Sequence, residues 1–423
     1  MTTRPTGRSA WRAVLGMLMV AGLLAGLASP AASDDDDKKH PDGIVIKVEP
    51  GVDLEGLSAD HGLRIAAPII ATSGVYLLEI DPSSDGEELE PKKLKSTAKR
   101  MAKEDGVVYA EADTRSSVAE GDRFHPWPHG RPLGVGDHPD ARLGQDVLAD
   151  LRLDEVHRVA TGVGVRVAVL DTGADLDHSS LIDAIVEGGY DYVDDDPVPE
   201  EEANGIDDDG DGAVDESFGH GTHTAGLVTL IAPDADILVY RVLDSDGVGD
   251  PYLVAEAIDD AVAAGADVIN MSFGMEEKTK SKVLREALKN AAKADVVIVA
   301  AAGNDGEKRK QYPADESDVI GVSAMDDGSE ELADFSNHGN VAWVAAPGEN
   351  IVSAAPGGGF ASWSGTSMAA PIVTGQVALV QSHDSERDVK RIAERIGDSS
   401  HKLEGERKVE RGRIDIVESL RRT

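Results

Sequence analysis

The strongest constraint on the fold is an alternation of apolar strands and helices that begins near residue 150. Short, almost wholly apolar stretches occur at residues 165–170, 237–240, 268–273 and 296–301. Helical patterns at residues 252–264 and 281–292 separate the later ones. Strands that are apolar on both faces and alternate with helices are typical of parallel sheets that helices cover on both sides. Residues 145–423 are therefore predicted to form an α/β domain with a doubly wound, mainly parallel sheet.

A smaller domain is predicted to precede this one. Strand patterns occur at residues 43–48, 75–80 and 107–110. Residues 91–104 carry an apolar helical face. Together these patterns predict a small α+β module over residues 43–115. Residues 116–144 are polar and rich in Gly, Pro and His, which indicates a linker and a zone that is open to cleavage.

The first 33 residues have the order of a secretory signal peptide. Arg4, Arg8 and Arg12 form a positive start, a 15-residue apolar run follows at residues 13–27, and small residues come next. We therefore expect export to the extracellular space, with the periplasm as the alternative. An uncleaved anchor is disfavoured because this run rises only about 22 Å as a helix, whereas a bilayer core is about 30 Å thick. Signal cleavage would leave no stable membrane anchor.

The charge balance and the absence of cysteine exclude several classes of function. The 423 residues include 79 acidic and 41 basic side chains, which gives a formal net charge of −38. Such a charge repels phosphate backbones, so nucleic acid is excluded as the main partner and cations are favoured. The chain has no cysteine, which excludes disulfides, thiolate metal sites and cysteine nucleophiles.

Part of the acidity lies in a spacer at residues 34–42. Its first five residues, Asp-Asp-Asp-Asp-Lys at 34–38, have the form of an enteropeptidase cleavage tag. A native acidic spacer is an equal alternative. Neither interpretation changes the predicted function.

Three short motifs carry the groups that acyl-transfer catalysis needs. In chain order they are Val-Leu-Asp-Thr-Gly at 169–173, Gly-His-Gly-Thr-His-Thr-Ala-Gly at 219–226, and Ser-Gly-Thr-Ser-Met-Ala-Ala-Pro at 364–371. Their candidate residues Asp171, His220 and Ser367 follow the order Asp, His, Ser, which is the order in subtilisin. On these motifs the chain, from about residue 151 to its end, resembles the subtilisin-like serine proteases, or subtilases.

This resemblance implies a role for each candidate residue. His220 would be the general base, Asp171 would hold the imidazole in the correct tautomer, and Ser367 would be the nucleophile. The backbone N–H of Ser367 and the side chain of Asn304 would donate hydrogen bonds to the oxyanion. Asp171 and Asn304 each follow a predicted strand, where functional groups collect in parallel sheets. His223 lies in the same motif as His220 and is expected to be structural.

The resemblance also predicts a substrate cleft and its partners. Two segments would pair with the main chain of an extended peptide, namely Gly247, Val248, Gly249 and Ser272, Phe273, Gly274. A specificity pocket would be lined by residues 272–274 and by residues 301–304, which include Ala302 and Gly303, with Gln311 at its floor and Asp305 near its rim. A polar floor and an acidic rim favour polar or basic substrate side chains. Protein or peptide substrates are the expected partners, and a monomer is the expected state.

An acidic segment before the histidine motif is a candidate calcium loop. Residues 191–216 contain 13 acidic residues among 26 and no basic one. The candidate ligands, which fall at positions 1, 3, 5 and 9 of a calcium loop, are Asp207, Asp209, Asp211 and Asp215. Position 12 is Phe218 and not glutamate, which contradicts a complete EF-hand. The segment does resemble the calcium loops of many subtilases, so we predict a structural Ca²⁺, with a solvated acidic loop as the alternative.

The module at residues 43–115 resembles the ferredoxin-like propeptide of this family, which is an inhibitor and folding chaperone. The resemblance implies a zymogen whose propeptide tail lies in the active site until self-cleavage within residues 116–144. The alternatives are an unrelated accessory domain and, for the whole chain, a pseudoprotease or a calcium-dependent binding module. An α/β-hydrolase esterase fits less well because Ala369 stands where Gly-x-Ser-x-Gly requires glycine. We therefore expect a secreted, self-processing serine endopeptidase.

Overall fold

The computed structural model describes residues 43–70, 74–80, 91–112, 116–118, 132–133, 142, 145–276, 281–340, 342–384 and 386–422. All of them belong to the unit that spans Asp42–Thr423. The predicted signal peptide at 1–33, the acidic spacer at 34–42 and most of the predicted linker at 116–144 lie outside the described residues. Within the described ranges, no helix combines the length and the apolarity that a membrane crossing requires.

The amino-terminal module, residues 43–112, has the element order β-α-β-β-α-β. Its elements are β1 (Gly43–Val48), α1 (Leu54–Ala59), β2 (Leu63–Ile70), β3 (Val75–Ile80), α2 (Pro91–Met101) and β4 (Val107–Ala112). The strands pair antiparallel in the order β2-β3-β1-β4, which is the ferredoxin-like arrangement. Ile44, Leu78 and Met101 belong to a core that is separate from the core of the larger domain.

The sequence patterns missed two elements of this module. Strand β2 contains Pro68, and a proline within an apolar run argues against a strand because it lacks a backbone N–H. Strand β2 lies at the edge of the sheet, where a proline needs no ladder partner on its outer side. Helix α1 has only six residues, which is too short for a helical period to be visible in the sequence.

The larger domain begins with a 3₁₀ helix at Asp146–Leu151. Its helices are α3 (Leu153–Val156), α4 (His220–Ile231), α5 (Pro251–Ala263), α6 (Lys282–Lys293), α7 (Thr366–Asp384), α8 (Val389–Ser399) and α9 (Ile416–Arg421). The remaining strands of the structure are β5 (Ser116–Val118), β6 (Pro132–Leu133), β7 (Arg166–Asp171), β8 (Tyr190–Asp191), β9 (Asp236–Arg241), β10 (Val248–Gly249), β11 (Val268–Met271), β12 (Phe273–Glu276), β13 (Val297–Ala301), β14 (Gln311–Tyr312), β15 (Val319–Met325), β16 (Val344–Pro347), β17 (Ile351–Ala355), β18 (Gly359–Trp363) and β19 (Gly412–Arg413).

The central sheet has eight strands in the order β19-β16-β15-β13-β11-β7-β9-β8, and every pairing is parallel. Alternate residues of β7 enter different apolar clusters. Val167 and Val169 pack in the cluster that contains α4 and α7, whereas Ala168 and Leu170 pack in the cluster that contains α5 and α6. Helices therefore cover both faces, as predicted for a doubly wound sheet.

Two short antiparallel sheets lie outside the central one, and both correct the sequence prediction. One has the order β10-β5-β12-β14 and the other the order β17-β18-β6. Strands β5 and β6 come from residues 116–144, which the sequence assigned to a linker. The predicted strand at 268–273 is two strands, β11 and β12, that are separated by Ser272. Strands of two or three residues have too little period to be recognised from sequence.

His223 belongs to α4, and its side chain lies in the core against the β17–β18 hairpin. Its ring stacks on Trp363, with 5.2 Å between the ring centroids. Its Nε2 lies 3.1 Å from the carbonyl oxygen of Ile351 and 3.2 Å from that of Ala361. Carbonyl oxygens only accept hydrogen bonds, so Nε2 carries the proton. Burial lowers the pKa of His223 to about 3, because the charged imidazolium would lose its hydration.

We expect the His223 ring to stay neutral, with its proton on Nε2, at every pH between 5 and 8. The unfolded chain binds a proton on this ring near pH 6.5, whereas the folded chain binds one only near pH 3. The contribution of His223 to stability is therefore complete above pH 6.5 and decreases as the pH falls toward 3. Imidazole ¹⁵N chemical shifts, assigned with His223→Gln, measure this. A titration of these shifts between pH 5 and 8 would contradict it.

Candidate active site

Asp171 is the last residue of β7 and is fully buried. Its Oδ1 accepts a hydrogen bond from the backbone N–H of Thr172 at 2.8 Å and lies 2.6 Å from Nδ1 of His220. Its Oδ2 accepts one from Oγ1 of Thr224 at 3.1 Å. A buried carboxylate needs such partners because it has lost its hydration. Asp171 is therefore a buried carboxylate at a strand end, and His220 is one of its hydrogen-bond partners.

His220 is the first residue of α4, and its side chain is fully buried. Because the Asp171 carboxylate accepts, Nδ1 is the nitrogen that carries a proton in the neutral ring. Nε2 is then the basic nitrogen. Trp363, which lies shortly before α7 in the chain, also contacts this ring. Its ring centroid lies 5.7 Å from that of His220. The arrangement fixes both the tautomer and the orientation of the imidazole.

Ser367 is the second residue of α7, which packs with α4 in the same apolar cluster. Its Oγ donates to the carbonyl oxygen of Ser272 at 2.8 Å, and Oγ of Ser272 donates to the Ser367 carbonyl at 2.9 Å. Asn270 donates to Oγ of Ser272 at 3.0 Å, and Thr374 donates to Asn270 at 2.8 Å. This buried network ties the start of α7 to the junction between β11 and β12.

Asn304 lies just beyond the end of β13 and is 6% exposed. Its Oδ1 accepts a hydrogen bond from the backbone N–H of Thr366 at 2.9 Å. This bond fixes the amide at the start of α7, one residue before Ser367. Its buried Nδ2 has no hydrogen-bond partner among the described residues. Asn304 therefore presents a fixed donor beside Ser367, a group that suits a developing negative charge.

The two predicted substrate segments lie on either side of β5. Strand β10, which contains Val248 and Gly249, pairs with one edge of β5, and Gly247 directly precedes β10. Strand β12, which contains Phe273 and Gly274, pairs with the other edge. Both pairings are antiparallel. Residues 116–118 of the chain itself therefore lie where the sequence predicts an extended peptide.

The predicted pocket residues lie next to these strands. Gln311 begins β14, which pairs with β12. A Cβ added at Gly274 would lie 2.7 Å from Nε2 of Gln311, and one added at Gly303 would lie 3.4 Å from its Oε1. Ala302 is fully buried before Gly303. The Gln311 side chain therefore lies between the two segments that were predicted to form the pocket.

Asp305, the predicted acidic rim of the pocket, pairs with a basic side chain of this chain. Oδ1 of Asp305 lies 3.3 Å from Nη1 of Arg309, so an ion pair offsets part of its charge. Asn337, which sequence reasoning missed, organises the same loop. It donates from Nδ2 to the carbonyl of Ala302 at 3.0 Å and accepts from the backbone N–H groups of Asp305 and Glu307. The structure gives no support to a preference for basic side chains.

The acidic segment brings three of its four predicted ligands together. Carboxylate oxygens of Asp207, Asp209 and Asp211 all lie within 4.8 Å of one another. Asp215 lies outside this group, and its carboxylate accepts from the backbone N–H groups of Asn204 and Gly205. Its role as a ligand stays a prediction, because the carboxylates of Asp207 and Asp209 accept backbone N–H groups as well. Hard oxygen donors on a tight turn suit Ca²⁺, so the three remaining residues fit the ion.

A nearby loop shares the negative charge of this segment. Asp246 is 3% exposed and accepts hydrogen bonds from the backbone N–H groups of Asp208 and Asp215. Burial, with the Asp246 carboxyl close by, raises the pKa of Glu216 to about 8. Burial also raises the pKa of Asp209. These carboxyl groups crowd one another next to the turn that leads into β10.

Comparison with known proteins assigns the family. Residues 162–411 match the subtilase family. The chain is 37% identical over 248 residues to the major intracellular serine protease of Bacillus subtilis (strain 168), which covers 55% of this chain and 73% of that protein. It is 37% identical over 257 residues to thermitase of Thermoactinomyces vulgaris, which covers 58% of this chain and 85% of thermitase.

A solved structure supports the same fold. Fervidolysin from Fervidobacterium pennivorans, described as a keratinolytic enzyme related to subtilisin, is 22% identical and superposes with a TM-score of 0.71. The superposition covers 92% of this chain and 62% of fervidolysin. At this identity the likeness concerns the fold. On its family match and its named relatives, the chain belongs to the subtilase family and is a subtilisin-like serine protease.

Proposed function

We propose that this protease is a secreted endopeptidase, made as a self-processing zymogen, in which Asp171, His220 and Ser367 form the catalytic triad. The observation that carries the proposal is the hydrogen bond between buried Asp171 and His220 at the carboxyl end of β7. Ser367 is the second residue of α7, which packs with α4, and Asn304 is fixed beside it. Membership of the family supports the same chemistry.

In the proposed reaction, Oγ of Ser367 attacks the carbonyl carbon of the scissile bond while its proton passes to Nε2 of His220. Asp171 stabilises the imidazolium that forms. The oxyanion accepts hydrogen bonds from the Ser367 backbone N–H and from Nδ2 of Asn304. The imidazolium then protonates the leaving amine, the C–N bond breaks, and an ester of Ser367 remains. Water attacks this ester by the same steps, which releases the acid and restores the serine.

The serine hydroxyl has to turn before it can attack. In this structure Oγ of Ser367 donates to the carbonyl of Ser272. A rotation about the Cα–Cβ bond releases that hydrogen bond and frees the hydroxyl proton for the base. Catalytic hydrogen bonds are often formed only once a substrate is bound, so this geometry agrees with the proposed role.

The main-chain pairing of β5 supports an endopeptidase that binds extended peptides. Antiparallel partners on both edges would hold a peptide by its backbone, which is common to all sequences. Side-chain preference would then come from the pocket beside Gln311. Protein and peptide substrates fit this mode of binding, and residues 116–118 stand in for such a peptide here.

Contacts of the amino-terminal module support its role as an inhibitory propeptide. Oε1 of Glu111 accepts hydrogen bonds from Oγ of Ser281 at 2.9 Å and from the backbone N–H of Lys282 at 2.6 Å, at the start of α6. A carboxylate at a helix N-terminus is favoured by the helix dipole. Nζ of Lys282 lies 5.9 Å from the ring centroid of Tyr109, which packs in the apolar cluster of α5 and α6. The module is thus docked against α5 and α6.

Export rests on residues 1–33, which have the charged, apolar and small-residue regions of a signal peptide. A large excess of acidic residues keeps a chain soluble, which agrees with a protein that works outside the cell. Amino-terminal sequencing of protein recovered from the medium and from the cells tests this part of the proposal.

The full chain and Ser367→Ala, followed by intact mass over time, test self-processing. We expect only the wild type to lose an amino-terminal fragment, because the cleavage needs its own nucleophile. The fragment is expected to end within a few residues after Val118, since β5 enters the cleft at that point. Equal shortening of both chains would assign the cleavage to another protease, and an intact wild type would contradict the zymogen.

Asn304→Asp tests the second oxyanion donor. The aspartate keeps an oxygen for the Thr366 N–H but lacks the Nδ2 donor, so we expect kcat to fall by at least about 10²-fold. KM should change little, because Asn304 is not part of the strands that pair with the peptide. Asn290→Asp on the exposed side of α6 makes the same chemical change and is the control. Unchanged kcat in Asn304→Asp would contradict the role.

We also propose that Asp207, Asp209 and Asp211 bind a structural Ca²⁺. The ion would be held by their carboxylate oxygens and would neutralise part of the crowded negative charge. It would stabilise the native state, because the unfolded chain does not hold these oxygens together. No step of the reaction depends on it.

Excess chelator should lower the melting temperature of the Ser367→Ala chain, which cannot digest itself. A site that is saturated at 100 times its Kd contributes about 2.7 kcal/mol to the free energy of unfolding. Asp209→Asn should lose this dependence on Ca²⁺, whereas Asp183→Asn, on the exposed surface outside the cluster, should keep it. Equal melting temperatures with Ca²⁺ and with chelator would contradict the site.

A further inference from the structure

Glu201 is a buried carboxylate that the proposed triad does not use. It is 6% exposed, although it belongs to a run of three glutamates in the acidic segment. Two hydroxyls and three backbone N–H groups donate hydrogen bonds to it. A carboxylate with five donors in the protein interior is held in one position, so it can hold its partners in turn.

The donors of Glu201 come from the two elements that carry Asp171 and His220. Thr172, which follows Asp171 at the end of β7, donates from its hydroxyl to Oε1. Oε1 also accepts from the backbone N–H of Gly219 at 2.8 Å and of Gly221 at 3.2 Å, on either side of His220. One oxygen atom therefore joins the strand end to the first turn of α4.

The second oxygen strengthens the hold on the helix. Oε2 accepts from the backbone N–H of Thr222 at 3.0 Å and from the Thr222 hydroxyl. The N-cap residue of helix α4 is Gly219, which has no side chain to cap the helix. The Glu201 carboxylate therefore satisfies N–H groups that a helix start leaves unpaired, and its charge lies at the favourable end of the helix dipole.

The backbones of the segments that carry Gly173, Gly221 and Glu201 are closely packed. Gly173 has a φ of +102°, and a Cβ there would lie 3.1 Å from Cα of Glu201. A Cβ at Gly221 would lie 2.0 Å from the carbonyl oxygen of Gly173. The backbone N–H of Glu201 donates to Ala174 at 3.1 Å. Gly173 is therefore required for the close approach of the segment that carries Glu201, and Gly221 for the close approach of α4 to Gly173.

We propose that Glu201 is a positioning residue that sets the distance and orientation between Asp171 and His220. The inference rests on the proposed catalytic roles of these two residues. Glu201 acts through Thr172 and through the first turn of α4 and does not itself contact the reacting atoms. A small displacement of the imidazole would lengthen the path of proton transfer from the serine, and such displacements reduce rates strongly.

Glu201→Gln is the decisive variant because it keeps the shape of the side chain. Its amide has one accepting oxygen, and its NH₂ group would oppose a backbone N–H donor of α4. We expect kcat on a peptide amide to fall by about 10²-fold, with little change in KM. KM should hold because the side-chain hydrogen-bond donors of Glu201 come from the end of β7 and the start of α4, and not from β10 and β12, which pair with the peptide. Rates are expressed per active serine, titrated with a fluorophosphonate.

Asp415→Asn is the matched control. Asp415 is also a largely buried carboxylate at a helix start, where it accepts from the Glu418 N–H and from Arg152, but it lies in the carboxyl-terminal segment. It should lower the melting temperature and leave kcat unchanged. A purely structural role for Glu201 predicts the same pattern for Glu201→Gln, so a wild-type kcat in that variant would overturn the proposal.

Two further outcomes are informative. If Glu201→Gln does not fold, as judged by the absence of a cooperative melt, Thr222→Val decides. It removes one donor to Glu201, together with the acceptor of the Asp175 N–H, and keeps the N–H bonds between α4 and Glu201. A smaller loss of kcat in Thr222→Val supports the proposal, and a wild-type kcat overturns it. An inactive wild type would contradict the proposed function itself and not the role of Glu201.

Discussion

The hydrogen bond between Asp171 and His220 is the interaction on which the rest of the site depends. Both side chains are fully buried, and a carboxylate without hydration is stable there only while its partners stay in place. Thr172, Thr224 and His220 supply those partners from the end of β7 and from α4. These hydrogen bonds form only at one distance between the end of β7 and the start of α4. The packing of the helices on the central sheet has to provide that distance.

The same principle extends to the other half of the site. The start of α7 is fixed by Asn304 through the Thr366 N–H and by Ser272 through reciprocal hydrogen bonds with Ser367. Helix starts carry unpaired N–H groups, and the carboxyl ends of parallel strands face them. The Asn304 side chain thus completes the start of α7, and the Glu201 side chain completes the start of α4. The hydrogen bonds that satisfy the unpaired N–H groups at the starts of α4 and α7 therefore also position the groups that would react.

The sequence was sufficient for the fold class and the family, because apolar strands and the three motifs both leave strong patterns. The apolar stretches at 165–170, 237–240, 268–273 and 296–301 predicted the parallel sheet and correspond to β7, β9, β11 and β13. Short elements such as β5 have no period to detect, and the spacing of Asp215 does not reveal that its carboxylate accepts from the distant backbone N–H of Asn204. Glu201 could not be singled out, because neighbouring glutamates look alike until folding buries one of them. Such residues are defined by tertiary contacts and not by local pattern.

The docked module explains how a three-residue strand can occupy the cleft. Strand β5 spans only Ser116–Val118, and so few backbone hydrogen bonds would hold a free peptide weakly. Strand β4 ends at Ala112, and Glu111 and Tyr109 hold it against α6, so β5 is delivered to the cleft at a high effective concentration. Backbone pairing does not distinguish an inhibitor from a substrate. In the proposed zymogen the module behind the tail would keep it in place, so the proposed inhibition should end when the module is lost and not when the strand alone is cut.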